Sequence, residues 1–182
     1  MLAFRHLALL VVLLAMITAT RANELSVKNA SLAPSPQGYQ VNANFDLKLN
    51  DTLEEALERG VVLFFIVESH LWRPRWWWFN ETIASAQETR KLSYNSLTRQ
   101  YRLSAGNQYQ NFNALDDAVT ALAQVRNQTL AESNALNKEN RYRASVRLWL
   151  DVTQLPKPFQ VKAVTATDWK LDSNEWVFDV IL

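Results

Sequence analysis

The 182-residue chain has no cysteine. That absence excludes a disulfide scaffold, a thiolate zinc site, a cysteine nucleophile and a lipid-modified cysteine behind a leader. Glycine is scarce too, at 3 residues, which argues against a glycine-rich phosphate loop. Histidine occurs at His6 and His70 only, so a histidine zinc site lacks its partner ligands. No G-x-S-x-G nucleophile elbow is present, and a Ser-His-Asp arrangement is left open on residue count alone.

What is present begins with a leader. Arg5 and His6 form a short positive region, Leu7 to Ile17 an uncharged apolar run, and Thr20-Arg21-Ala22 places small residues at both cleavage-determining positions. This is the pattern of a secretory signal peptide over residues 1–22, cleaved after Ala22. The alternative is an uncleaved anchor, but about 11 apolar residues fall well short of the roughly 20 that span a bilayer. A single domain over residues 23–182 follows, with no integral membrane span once the leader is removed.

The leader carries Arg5 and Arg21 and no acid, so 19 Lys+Arg against 18 Asp+Glu becomes 17 against 18, a mature charge of −1. A nearly neutral chain gives no general reason to expect nucleic acid or an anionic membrane as partner. With 48% hydrophobic residues and a mean hydropathy of −0.18, the chain is of the folded globular class.

The sequence is organised around Val61 to Phe79, VVLFFIVESHLWRPRWWWF. Val61–Val67 reads as a strand buried on both faces. Arg73-Pro74-Arg75 then breaks the run, and Trp76-Trp77-Trp78-Phe79 closes it. Elsewhere, Glu24–Leu32 reads as a first strand and Pro34–Gly38 as a turn. Tyr39–Leu49 alternates cleanly, with Tyr39, Val41, Ala43, Phe45, Leu47 and Leu49 on one face. Asp51 is read as the N-cap of a short helix with Glu54 completing a capping box, and Gly60 ends it. Lys91–Ser96 and Thr98–Ser104 form a hairpin. Asn113 is read as the cap of a second helix carrying Leu115, Ala118, Val119, Leu122 and Val125. Arg126–Asn140 reads as loop or loose helix, and Arg141–Asp151, Phe159–Thr167 and Glu175–Leu182 as strands. Asn80–Thr89 has no clear pattern. The Glu54-Glu55 and Asp116-Asp117 pairs read as helix-start charges. The stretches from Phe45 to Leu57 and from Phe112 to Val119 echo each other faintly, which two strand–helix–strand units would explain, as would chance capping and amphipathicity.

The fold class expected is mainly β: an antiparallel β-sandwich, an immunoglobulin-like one among the options, with two short connecting helices. An outer-membrane barrel is the rival, disfavoured by the amphipathic helices.

Arg73, Arg75, Trp76, Trp77 and Trp78 are the first candidate binding residues, because consecutive strand residues point to opposite faces and three tryptophans cannot all be buried in a one-sided sheet. Exposed Trp beside Arg serves protein hot spots and carbohydrate platforms. The competing reading is a two-sided core strand with Arg stacked over Trp. Arg99, Tyr101 and Arg102 form a second candidate patch. Glu68 and His70, two apart on an extended strand, could form an acid/base pair, against the plainer reading of a polar strand end. No catalytic residue, metal site or cofactor is implied.

The strings Leu-Ser-Tyr-Asn-Ser-Leu-Thr-Arg-Gln-Tyr-Arg-Leu (92–103), Glu-Ala-Leu-x-Arg-Gly-Val (55–61), Arg73-x-Arg75-Trp76-Trp77-Trp78, Leu150-Asp151-x-x-x-Leu155-Pro156-Lys157-Pro158-Phe159-Gln160 and Asp168-Trp169 together resemble the exported proteobacterial family catalogued as domain of unknown function 4390. The resemblance runs from about Leu25 to Phe178. It implies an exported, single-domain protein of the periplasm with no assigned catalytic residue. It also implies a genomic association with a membrane two-component sensor kinase. The expected function is therefore non-enzymatic binding of such a kinase or another envelope protein. A glycan- or peptidoglycan-binding module with a Trp platform is the alternative, and an enzyme built on Glu68 and His70 ranks last.

Overall fold

The computed structural model describes residues 25–182. The expected leader, residues 1–22, lies outside the described residues, as does Glu24 at the head of the first expected strand. Strand β1 (Leu25–Ser35) turns at Pro36-Gln37 into β2 (Gly38–Leu47), and the two pair antiparallel from Leu25↔Leu47 to Ser35↔Gly38. The alternation of β2 places Val41, Ala43, Phe45 and Leu47 in the core.

Helix α1 (Asp51–Glu58) follows. Its N-cap is Asn50 rather than Asp51: the Asn50 side chain accepts from the Leu53 amide at 3.1 Å. Asp51 and Glu54 lie in the first turn, where they complement the positive end of the helix,. At the other end the Gly60 amide bonds Leu57 O and the Val61 amide bonds Ala56 O, at 2.8 and 2.9 Å. That double bond pattern is a Schellman stop, and Gly60 at φ +85° supplies the left-handed residue it needs,.

Strand β3 (Leu63–Arg73) runs on to the arginine beyond the apolar stretch. Leu63, Phe65, Val67, Ser69 and Leu71 face inward and are buried, and Ile66 on the opposite face is buried as well. The long β4 (Glu81–Asn95) pairs with β3 from Arg73↔Glu81 to Leu63↔Leu92, and β5 (Gln100–Ala105) and β6 (Gln108–Phe112) extend the meander. Helix α2 (Leu115–Leu122) buries Ala118, Val119 and Leu122. Its N-cap is Ala114, without a side-chain bond; Asn113 instead accepts from Gln100 Nε2 at 3.1 Å. Strand β7 (Gln124–Ala131) takes Val125, expected on the second helix, and replaces the loop or loose helix expected over residues 126–131, while residues 132–140 form turns and loop as expected. Strand β8 (Tyr142–Leu150) buries Tyr142, Ala144, Val146, Leu148 and Leu150. Helix α3 (Lys157–Thr165) stands where a strand was expected from Phe159 to Thr167. Strand β9 (Trp176–Val180) completes the chain.

The strands form two antiparallel sheets, ordered β1-β2-β7 and β6-β5-β4-β3-β8-β9. Helix α1 carries the chain from the small sheet to the large one, and α2 carries it back, which gives the two strand–helix–strand units of the sequence echo a common role. The sheets share one hydrophobic core, so the architecture is a mainly β sandwich of unequal layers. The six-and-three division differs from the four-and-three of an immunoglobulin constant domain. Three α-helices occur among the described residues, against the two expected.

Arg90 of β4 ties the layers together. It is buried, with Nη1 donating to the carbonyls of Leu122 at 2.9 Å and Gln124 at 2.7 Å, while Nε and Nη2 hold Glu88. The guanidinium thus satisfies a carbonyl that the end of α2 leaves orphaned, Leu122 O, and one at the start of β7, Gln124 O,.

Candidate functional site

The aromatic run occupies the connection between β3 and β4. Pro74 supplies no ladder donor and ends β3 at Arg73. The last pair of the β3–β4 ladder is Arg73↔Glu81, so residues 74–80 form a loop at one end of the large sheet. A bulge between Leu71 and Trp72 precedes it and re-aims the strand ends,.

On this loop Trp76 is 90% exposed, Trp77 66%, Trp78 68% and Phe79 82%. The core-strand reading of the tryptophans is therefore overturned: they lie on a loop, where no pleat divides them between two faces. The rings pack on one another in two pairs. Trp76 and Trp77 meet edge to face at 5.1 Å and 76°, and Trp78 and Phe79 at 5.9 Å and 79°. Such pairs are favourable geometries, but rings at near right angles present no common flat plane.

The base of the loop is clamped by charge. Arg73 and Arg75 both pair with Glu81 Oε2, the second at 2.7 Å. Hydrogen bonding from Arg75, and then from Arg73, holds the Glu81 carboxyl below the usual carboxylate range. One carboxylate serves two guanidinium groups, and a positive charge remains beside the aromatic tip.

The second expected patch does not form. Arg99 sits in the β4–β5 turn at φ +54°. Tyr101 pairs with Tyr94 and Phe112 in register, its ring 4.8 Å from that of Tyr94. Burial, then Glu58, raises its phenol pKa. Arg102 points to the opposite face of β5, where it bonds Asn111 at 3.1 Å and stacks 4.7 Å over Tyr109. Adjacent strand residues cannot share a face. The β4–β5 turn also lies at the far end of β4 from the Trp loop, roughly 45 Å of extended chain away at about 3.3 Å per residue.

Glu68 and His70 do meet on the outer face of the large sheet, with His70 Nε2 3.3 Å from Glu68 Oε1. Ser145 stands opposite His70 in register, but its hydroxyl donates to Glu175 at 2.6 Å. That bond leaves the hydroxyl proton on a carboxylate, not on the imidazole a nucleophilic serine requires. A shallow cleft of about 320 Å³ beside them is lined by His70, Trp72, Asn80, Thr82, Glu175 and Val177. Among the described residues no group of three or more His, Asp or Glu could hold a metal ion, and no helix is long and apolar enough to cross a membrane.

Sequence reasoning missed two parts of this region. Glu81, the clamp, lies in the segment left without a pattern, although an acid just beyond an Arg-Pro-Arg loop was a usable signal. Ile181 and Leu182, exposed at 89% and 39%, follow β9. The ladders Trp72↔Arg143 and Tyr142↔Val180 put the end of β9 at the same end of the sheet as the Trp loop.

The family model described as a domain of unknown function (DUF4390) matches residues 22–178. No curated protein and no solved structure matches the chain.

Proposed function

The chain belongs to the DUF4390 family, and on that premise we propose that it is an exported, non-catalytic module that docks onto a membrane-held component of the bacterial envelope through the Trp76–Phe79 loop. The single observation that carries this reading is four consecutive aromatic side chains exposed at 66–90% on a loop anchored at its base by Arg73, Arg75 and Glu81. Clusters of exposed apolar surface on a folded domain mark contact sites. The protein partner that fits is a membrane sensor kinase or another envelope protein, and the compartment is the periplasm. A glycan platform is the weaker reading, because stacking on a sugar wants an open flat face and these rings stand edge to face.

The test is a photoreactive residue at Trp77 and a crosslinking pull-down from intact cells. Recovery of one enriched membrane component supports docking; recovery of cell-wall glycan favours the platform. Trp77→Ala with Arg75→Ala should weaken capture, about 2 kcal/mol or more if Trp77 is a hot spot, while the melting curve holds. Unfolding of that variant would return the cluster to a structural role.

A further inference from the structure

We infer that the Trp76–Phe79 loop seats in the interfacial layer of a phospholipid bilayer bearing anionic headgroups. The inference rests on the docking role proposed above and names what the loop itself touches. The loop's aromatic area alone is too small for a stable protein interface, so docking on a membrane-held partner needs a further contact, which the bilayer beside that partner supplies. Four aromatic side chains at about 150–250 Å² each, partly exposed, offer on the order of 600 Å², short of the roughly 800 Å² per partner of a stable protein interface. A bilayer needs no complementary surface. Its headgroup layer is also where amphipathic indole rings concentrate, apolar body inward and N–H toward water. Rings set at 76° and 79° to their neighbours fill such a layer in several directions without a flat mate.

The surroundings continue the pattern. Ile181 and Leu182 add exposed aliphatic surface at the same end of the sheet. Arg73 and Arg75 flank the tip, and Arg141 and Arg143 stand at the start of β8 beside them. The carboxylates facing this group are Glu81, which takes Arg73 and Arg75, Asp179, 3.3 Å from Arg143, and Glu175, which lines a cleft with Trp72 and Asn80 and accepts from Ser145. Lys138 and Glu139 just before cancel each other. Four guanidinium groups against three carboxylates, Glu81, Asp179 and Glu175, leave this end with a small positive excess although the mature chain is nearly neutral, and guanidinium forks match phosphate oxygens.

Sucrose-loaded vesicles of phosphatidylcholine with phosphatidylglycerol test this with the processed protein alone. The protein should sediment with them, and less with phosphatidylcholine alone. The variant Trp76→Ser, Trp77→Ser, Trp78→Ser, Phe79→Ser should lose at least about tenfold in partitioning, since interfacial binding scales with buried apolar area. Its melting midpoint should not move. Lipids brominated on the acyl chains should quench tryptophan emission in the wild type and not in the variant. A wild type that stays in the supernatant, a variant that sediments equally, or equal binding to uncharged vesicles would overturn the inference. If vesicles fail while crosslinking at Trp77 still recovers a membrane protein, the lipid contact falls and the docking role stands. If both fail, both fall.

Discussion

Replacing Arg90 with Ala should be among the costliest single changes in the large sheet. The side chain is 9% exposed and its four hydrogen bonds reach three partners: Leu122 O, Gln124 O and the Glu88 carboxylate. Truncation takes the guanidinium donor from the buried Leu122 carbonyl and the part-buried Gln124 carbonyl, at about 1 kcal/mol each by the lower end of the cost for orphaned groups. It also strips Glu88 of its partner. Because Glu88 is 31% exposed, water recovers part of that loss, and about 1 kcal/mol is a fair share. The sum, about 3 kcal/mol, is a large fraction of a domain's typical 5–15 kcal/mol. Urea unfolding followed by circular dichroism measures it as a fall in midpoint at constant slope. Arg90→Lys keeps the charge but cannot fork between carbonyls and carboxylate, so it should recover less than half. Glu88→Ala alone should cost about 1 kcal/mol, and the double-mutant cycle should return a coupling near that value. If Arg90→Ala costs under about 1 kcal/mol, the guanidinium does not join the two layers and the reasoning fails.

Gly38→Ala should cost about 3 kcal/mol in the same assay, because a Cβ there would lie 2.2 Å from Ala131 O at a backbone φ of +117°,; an unchanged midpoint would refute the close approach of β2 and β7. The Arg147 hydrogen bond, followed by the Asn174 amide, lowers the Asp172 pKa. A lowered acid stabilises the fold above its unfolded pKa and loses that contribution as pH falls through the folded value. Asp172→Asn should therefore cost roughly 0.5–1 kcal/mol at neutral pH, since both side chains are over a third exposed,, and the difference from wild type should vanish in acid. Glu81, also lowered, should titrate below the ordinary glutamate value in a carbon-detected NMR titration, and Arg75→Gln should move it upward; a Glu81 indifferent to Arg75 would remove the clamp from the loop.

Where one face of a strand was uniformly apolar, the sequence could be read directly. Val41, Ala43, Phe45 and Leu47 in β2, and Tyr142 to Leu150 in β8, alternate without a break and are buried as their spacing demands. Strand β7 escaped because its alternation is interrupted. Asn127 takes φ +53°, and the ladder slips between Val41↔Gln128 and Ala43↔Val125. Val125 and Leu130 are both buried although an odd spacing should put them on opposite faces,. The first half of β4 was opaque because its inward residues are Ala84, Ala86, Glu88 and Arg90, which carry no hydrophobic signature. Helix α3 was misread because Phe159, Val161 and Ala163 alternate like a strand. Pro158 in the first turn and the shared face of Phe159 and Ala163 were the better guides,. For the candidate site, the tryptophans were visible as an anomaly of composition. The pleat argument required at least one to be exposed; that all are exposed was not legible, because it depends on residues 74–80 forming a loop and not resuming a strand after Pro74. Pairing Tyr101 with Arg102 failed on the pleat itself.

The position of β3 also bears on how the molecule is assembled. Its two neighbours are β4, which follows after one loop, and β8, which follows only after β4, β5, β6, α2 and β7 have been delivered. As the chain emerges from its N-terminal end, the ladder through Phe65, Ile66 and Val67 stays open on one side until Tyr142–Leu150 arrives. An unpaired edge of that composition is a template for another chain, and pairings so distant in sequence close slowly. The strand near the centre of the finished sheet, like β2 awaiting β7, thus spends much of synthesis with an open edge that another chain could pair with,. A truncation ending before Tyr142 should leave that edge permanently open and drive the product into aggregates.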